Sequence, residues 1–155
     1  MVSTDLKVGL LGGGSWGTTV ASLTARNAHI TLWARDEATV HEINQKHTNE
    51  KYLPGAKLSP SLIATNNIEE AVAPMDVIVM GIPSHEFRNV LESVKAHIRP
   101  WVPVISLTKG LELDTRQRMT EIINEVLPGH PIGVLTGPNL AREIMSGYAA
   151  ASVLA

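Results

Sequence analysis

Apolar residues along the chain follow two alternating rhythms. Short, nearly unbroken runs occur at Lys7–Leu11 (KVGLL), His29–Ala34 (HITLWA), Asp76–Ile82 (DVIVMGI), Pro103–Leu107 (PVISL) and Ile132–Leu135 (IGVL). Apolar runs of this length predict strands buried on both faces of a parallel sheet. Between them the apolar spacing changes to three and four. Trp16, Val20 and Leu23 share one stripe, as do Phe87, Val90, Leu91, Val94 and Ile98, and again Met119, Ile122, Ile123 and Val126. That period predicts helices with one buried face. A polar helix around Val40 and Ile43, a loop at Tyr52–Gly55 (YLPG), a weak strand at Leu62–Thr65 and short helices at Ile68–Val72 and Asn139–Ser146 fill the remainder. Ala149–Ala155 (AAASVLA) reads as a last strand. Strands alternating with helices predict an α/β fold, a doubly wound, mostly parallel sheet.

Composition narrows the class. The 155 residues are 44% hydrophobic and 18% charged, with a formal net charge of -2 and no cysteine. This length supports one domain with a sizeable core. No basic stripe suggests a nucleic-acid partner, and no disulfide framework or thiolate metal site is possible. The N-terminus lacks the pattern of a secretory signal, and no apolar stretch approaches the roughly 20 residues of a spanning helix. A soluble, cytoplasmic domain without membrane or metal is the expectation.

The chemistry-bearing motif lies between the first predicted strand and the first helix. Gly12, Gly14 and Gly17 match G-x-G-x-x-G. The first glycine permits a sharp turn out of the strand, the second lets a pyrophosphate approach the backbone, and the third lets helix and strand pack closely. The helix start adds unpaired N–H groups and a positive dipole end, both favouring an anion. The same glycines have the spacing of a P-loop, but the lysine that motif needs is replaced by Thr18, so an ATPase or kinase reading fails. Arg35 and Asp36 end the second strand. An acid there can bind the ribose hydroxyls of NAD, and an arginine can accommodate the 2′-phosphate of NADP. Arginine is nearer the strand end, which tilts the reading toward NADP or dual use, and both cofactors stay open.

Ligands of such sheets sit at the carboxyl ends of the strands. Pro83-Ser84-His85, Thr108-Lys109-Gly110 and Gly137-Pro138-Asn139 fall there. Lys109, held between an apolar strand and a glycine, can face an anion or an oxygen gaining charge. Asn139 can cap the next helix or offer its amide to a ligand. The histidines carry little: His41-Glu42 begins H-E-x-x-H, but Gln45 occupies the second ligand position.

GGGSWGTT, LWARD, YLPG, IPSHEFRNVL, SLTKGLE and LTGPNLAREI occur in this order. Together they resemble NAD(P)-dependent glycerol-3-phosphate dehydrogenase of the bacterial type, from about Lys7 to the last residue. The resemblance implies a Rossmann-like domain over 1–155 and hydride transfer between NAD or NADP and the pair glycerol 3-phosphate and dihydroxyacetone phosphate, for glycerophospholipid synthesis. It implies cofactor contacts at Gly12, Gly14, Ser15, Trp16, Gly17, Arg35, Asp36, Pro83, Lys109 and Ala141, with Tyr52 also lining the cleft. Lys109, the residue assigned to catalysis, would touch cofactor and substrate alike, with Gly137 and Asn139 on the substrate side. Members of this family form homodimers and carry a second, helical domain that completes the substrate grip. The chain ends at its last predicted strand, and we expect that domain to lie outside it. The alternative is a stand-alone NAD(P)-binding module without catalysis.

Overall fold

A computed structural model describes residues 5–155. Seven strands form one sheet: β1 (Lys7–Leu11), β2 (His29–Trp33), β3 (Ile63–Thr65), β4 (Val77–Met80), β5 (Val104–Ser106), β6 (Ile132–Thr136) and β7 (Val153–Leu154). Their order is β3-β2-β1-β4-β5-β6-β7. The first six are mutually parallel, and β7 pairs antiparallel with β6. The doubly wound, mostly parallel sheet anticipated from the apolar runs is the one the chain adopts.

Central strands alternate faithfully between two cores. Leu11, Ile78, Met80 and Val104 point into one cluster, with Phe87 and Leu91 of α3 (Ser84–Val94) and Ile122 and Ile123 of α4 (Met119–Val126). Leu10, Val79 and Leu107 point into the other, with Ala21 of α1 (Ser15–Thr24) and Ile43 of α2 (Glu37–Lys46). Leu10 and Leu11 are both fully buried although adjacent. Successive side chains of a strand face opposite sides, so this is possible only where helices cover both faces.

Three segments depart from the reading of the sequence. Ile68–Val72 is a succession of turns and not a helix. It is pressed against β1, where a Cβ on Gly9 would lie 1.9 Å from the Ala71 carbonyl oxygen. A stretch that short, with Pro74 after it, cannot overcome the cost of helix nucleation on its own. The helix expected from Asn139 starts later, as α5 (Ala141–Met145). The terminal strand shrinks from seven expected residues to the two of β7: Val153 and Leu154 pair in register with β6, Ala155 adds backbone bonds to Val134, and the residues before them do not join the ladder.

Candidate functional site

The strand order reverses between β1 and β4, and a cavity of about 900 Å³ opens there, at the carboxyl ends of β1, β2, β4 and β5. The turn after β1 forms its floor. Gly12 has φ 125°, a conformation that favours glycine. A Cβ on it would lie 2.3 Å from the Gly81 carbonyl oxygen, in the turn after β4. A Cβ on Gly17 would lie 2.0 Å from the Gly12 carbonyl oxygen. These two glycines are therefore packing requirements. Gly14 differs: a Cβ there meets nothing within 4 Å, and the residue faces the cavity. It also precedes α1 without a side-chain cap. The first-turn amides of Ser15, Trp16 and Gly17 find no acceptor among the described residues. They form a cluster of donors at the positive end of a ten-residue helix.

The floor is fastened from beneath by uncharged groups. The Gly13 carbonyl accepts from the Thr18 hydroxyl at 3.1 Å and from the Asn49 amide at 3.0 Å. Asn49 also donates to Thr18 at 2.9 Å. Thr18 and Asn49 are both fully buried. Asn49 reaches this position because α2 ends at His47 in the left-handed conformation, φ 53°, turning the chain back toward the glycine turn.

The rim is charged. The guanidinium of Arg35, beyond β2, donates to the Glu86 carboxylate at 2.5 and 3.4 Å. That hydrogen bond holds the Glu86 carboxyl below its usual range. Asp36 caps α2, accepting from the Ala38 amide at 3.1 Å and the Thr39 hydroxyl at 2.9 Å. Those bonds, Thr39's foremost, lower its pKa. Lys51 lies 3.6 Å from the same carboxylate. The acid anticipated as a ribose ligand thus spends its oxygens on the helix it starts.

Lys109 projects from the turn after β5 and is exposed, with no ion-pair partner among the described residues. Its loop is tied down on both sides. The Thr108 hydroxyl donates to the Ile82 carbonyl at 2.6 Å, and Arg88 of α3 holds Glu112 at 2.8 Å. Arg88 also pairs with Glu125 and accounts for the lowered pKa of both glutamates.

Asn139 is buried, and its amide donates to Ser152 at 2.9 Å while its Oδ1 has no partner. The helix-cap role open to it from sequence is not taken: Leu140 occupies the position before α5. That oxygen is closed off from solvent, although the residue itself forms part of the cavity wall.

Among the residues singled out from sequence, Gly12, Gly14, Ser15, Trp16, Gly17, Arg35, Asp36, Tyr52, Pro83, Lys109, Asn139 and Ala141 all line this one cavity. Gly137 does not. It is packed under the returning chain, where a Cβ would lie 2.3 Å from the Ala151 carbonyl oxygen. Thr108, placed at a strand end from the sequence, lines the cavity too, while sequence reasoning missed Gly13, Lys51, Gly81 and Glu86, which also line it. Of these only Gly81 carried a signal, its place at a strand end. No helix among the described residues is long and apolar enough to cross a membrane.

Comparison with known proteins gives a consistent result. A family profile described as the N-terminus of NAD-dependent glycerol-3-phosphate dehydrogenase matches residues 7–155. A glycerol-3-phosphate dehydrogenase of Sphingopyxis alaskensis is 70% identical over 149 residues, covering 96% of this chain and 45% of the relative. One from Mycobacterium bovis is 56% identical over 150 residues, covering 96% and 44%. The crystal structure of glycerol-3-phosphate dehydrogenase from Coxiella burnetii superposes with a TM-score of 0.89 at 27% identity, over 97% of this chain and 46% of that one. The chain thus spans less than half the length of the curated relatives it matches.

Proposed function

The chain belongs to the family of NAD-dependent glycerol-3-phosphate dehydrogenase N-termini, and from that premise we propose that it holds the nicotinamide cofactor of such an enzyme. The reaction is hydride transfer between NAD(P)(H) and the glycerol 3-phosphate/dihydroxyacetone phosphate pair, feeding glycerophospholipid synthesis. One observation carries the reading: an open glycine and a cluster of unpartnered first-turn amides face a large cavity at the switch point of the sheet. Those groups suit a pyrophosphate in charge, in donor count and in the room a Cβ at position 14 would otherwise take. The relatives' names, which specify NAD(P)+, support the same cofactor class.

When bound, a nicotinamide cofactor supplies or takes up the hydride. The chain's own residues do the positioning. Gly12 and Gly17 fix the turn, and Gly14, Ser15 and Trp16 face the diphosphate. Arg35 stands on the adenosine-ribose side, where Asp36 shapes the site by starting α2, with Pro83, Tyr52 and Ala141 as walls. Lys109 places an ammonium where it can stabilise charge growing on the substrate oxygen and keep the substrate phosphate near. Asn139 stands on the substrate side of the cavity, and Gly137 shapes the loop that carries it. These groups form one side of a substrate grip, and we assign the other side to a helical domain outside these 155 residues. On this reading the working enzyme is a cytoplasmic homodimer that needs neither membrane nor nucleic acid.

Calorimetric titration of NADH and NADPH into the 155-residue chain tests the cofactor assignment. Binding of either supports it, and binding of neither overturns it. Assay of the same chain with dihydroxyacetone phosphate and NADH or NADPH is expected to give little or no turnover, since hydride transfer needs the carbonyl pinned from both sides. Robust turnover would refute the assignment of half the grip to another domain.

A further inference from the structure

Four charged side chains at the rim of the cavity form two couples. Lys51 is set beside Asp36, whose oxygens are already engaged by α2. Arg35 is held in a fork by both oxygens of Glu86. The second couple joins opposite walls. Arg35 leaves the end of β2, while Glu86 sits in the first turn of α3, which follows β4. In the sheet those strands lie on either side of β1. The fork therefore links the two walls flanking the glycine turn, and both its members line the cavity.

We infer that Glu86 sets cofactor choice: by holding Arg35 it withholds the guanidinium from a ribose 2′-phosphate and disfavours NADP relative to NAD. The inference rests on the dinucleotide reading above. A 2′-phosphate brings up to about two negative charges. To meet Arg35 it must displace the glutamate or sit beside it, and a carboxylate left beside a phosphate repels it. A ribose with free hydroxyls brings no charge and can use Glu86 as an acceptor. The same fork thus opposes one ligand and leaves the other unopposed. Arginine alone at this strand end would point to NADP, and the glutamate from across the cavity reverses that lean. Arg35 and Glu86 side chains are 68% and 36% exposed, so solvent and salt limit the effect to several-fold.

The test is titration of NADH and NADPH into wild type, Glu86→Gln, Glu86→Asp and the double variant Arg35→Ala/Glu86→Gln of the 155-residue chain, all at one ionic strength. Glu86→Gln is expected to raise the ratio of NADPH to NADH affinity roughly fivefold. Glu86→Asp, which keeps the charge, is expected to stay within about twofold of wild type. In the Arg35→Ala background the glutamine substitution should no longer move the ratio. A purely structural role for Glu86 would weaken both cofactors alike and leave the ratio fixed. An unchanged ratio in Glu86→Gln, or an equal shift without Arg35, overturns the inference while leaving the dinucleotide reading intact. A wild-type chain that binds neither cofactor overturns both.

Discussion

The floor and the rim of the cavity are built from opposite materials. Beneath the glycine turn, Asn49, Thr18 and the Gly13 carbonyl share buried, uncharged hydrogen bonds. At the rim, Arg35, Glu86, Lys51 and Asp36 meet as partly exposed ions. Buried neutral bonds have few alternatives once water is excluded, so they fix a backbone shape. Exposed ion pairs contribute little to stability and exchange partners readily. The floor is thus suited to the invariant diphosphate of a dinucleotide, and the rim to the part of the ligand that differs between cofactors.

The harshest way to break the floor is to fill it. Gly17→Val places side-chain atoms against the Gly12 carbonyl, which is backbone and cannot step aside. A loss of roughly 3 kcal/mol is expected, large enough to threaten folding. Urea unfolding followed by circular dichroism measures it, and a midpoint near wild type would mean that the close helix–strand packing is not needed. Asn49→Ala comes next. It removes two hydrogen bonds at a fully buried site and should cost about 2 kcal/mol by the same urea titration. A change below roughly 0.5 kcal/mol would show that Thr18 alone secures the turn.

Gly14→Ala separates ligand space from packing space. Its added Cβ touches nothing, so stability should stay within about 0.5 kcal/mol of wild type while NADH affinity falls roughly tenfold. Calorimetry beside a melting curve reads both. Unchanged affinity would remove Gly14 from the cofactor path.

The mildest perturbation is acid. Hydrogen bonds from Arg35 to Glu86, and from Thr39 and Ala38 to Asp36, lower both carboxyl pKa values in the folded chain. Groups depressed in this way add stability above the ordinary carboxylate range, and lose it as pH falls through the depressed values. The floor triad of Gly13, Thr18 and Asn49 has no titratable group. Amide NMR spectra from pH 7 down to about 3 should therefore move at Arg35, Glu86 and Ala38 before they move at Gly13 and Thr18. Simultaneous shifts would mean that floor and rim are one unit.

This contrast also explains what the sequence disclosed. The glycine turn was readable because its requirements are local: three glycines, an apolar run before them and a helical stripe after. Lys109 and Asn139 were readable because strand ends in this topology share one edge. Asn49, Lys51 and Glu86 look like ordinary polar loop and helix-start residues. They become site residues only because the chain folds back after His47, and because β4 delivers α3 to the opposite wall. Gly137 failed in the other direction. Its strand-end position was right for the cavity, but pairing of β7 with β6 brings Ala151 over it. Ile68–Val72 failed as a helix because its shape is set by close approach to Gly9, which no periodicity encodes.

The contact between Gly12 and Gly81 has a practical consequence for redesign. The two positions are asymmetric: a Cβ on Gly81 would make only ordinary contacts of 3.4 Å or more, whereas one on Gly12 strikes the Gly81 backbone. No exchange of side chains at position 81 can make room, because the obstacle is the main chain itself. A randomised library aimed at new cofactors should hold codon 12 constant and spend its diversity on 14, 35, 51 and 86. Position 81 can be sampled with alanine, and variants recovered there would report how far the second wall can thicken before the diphosphate is excluded.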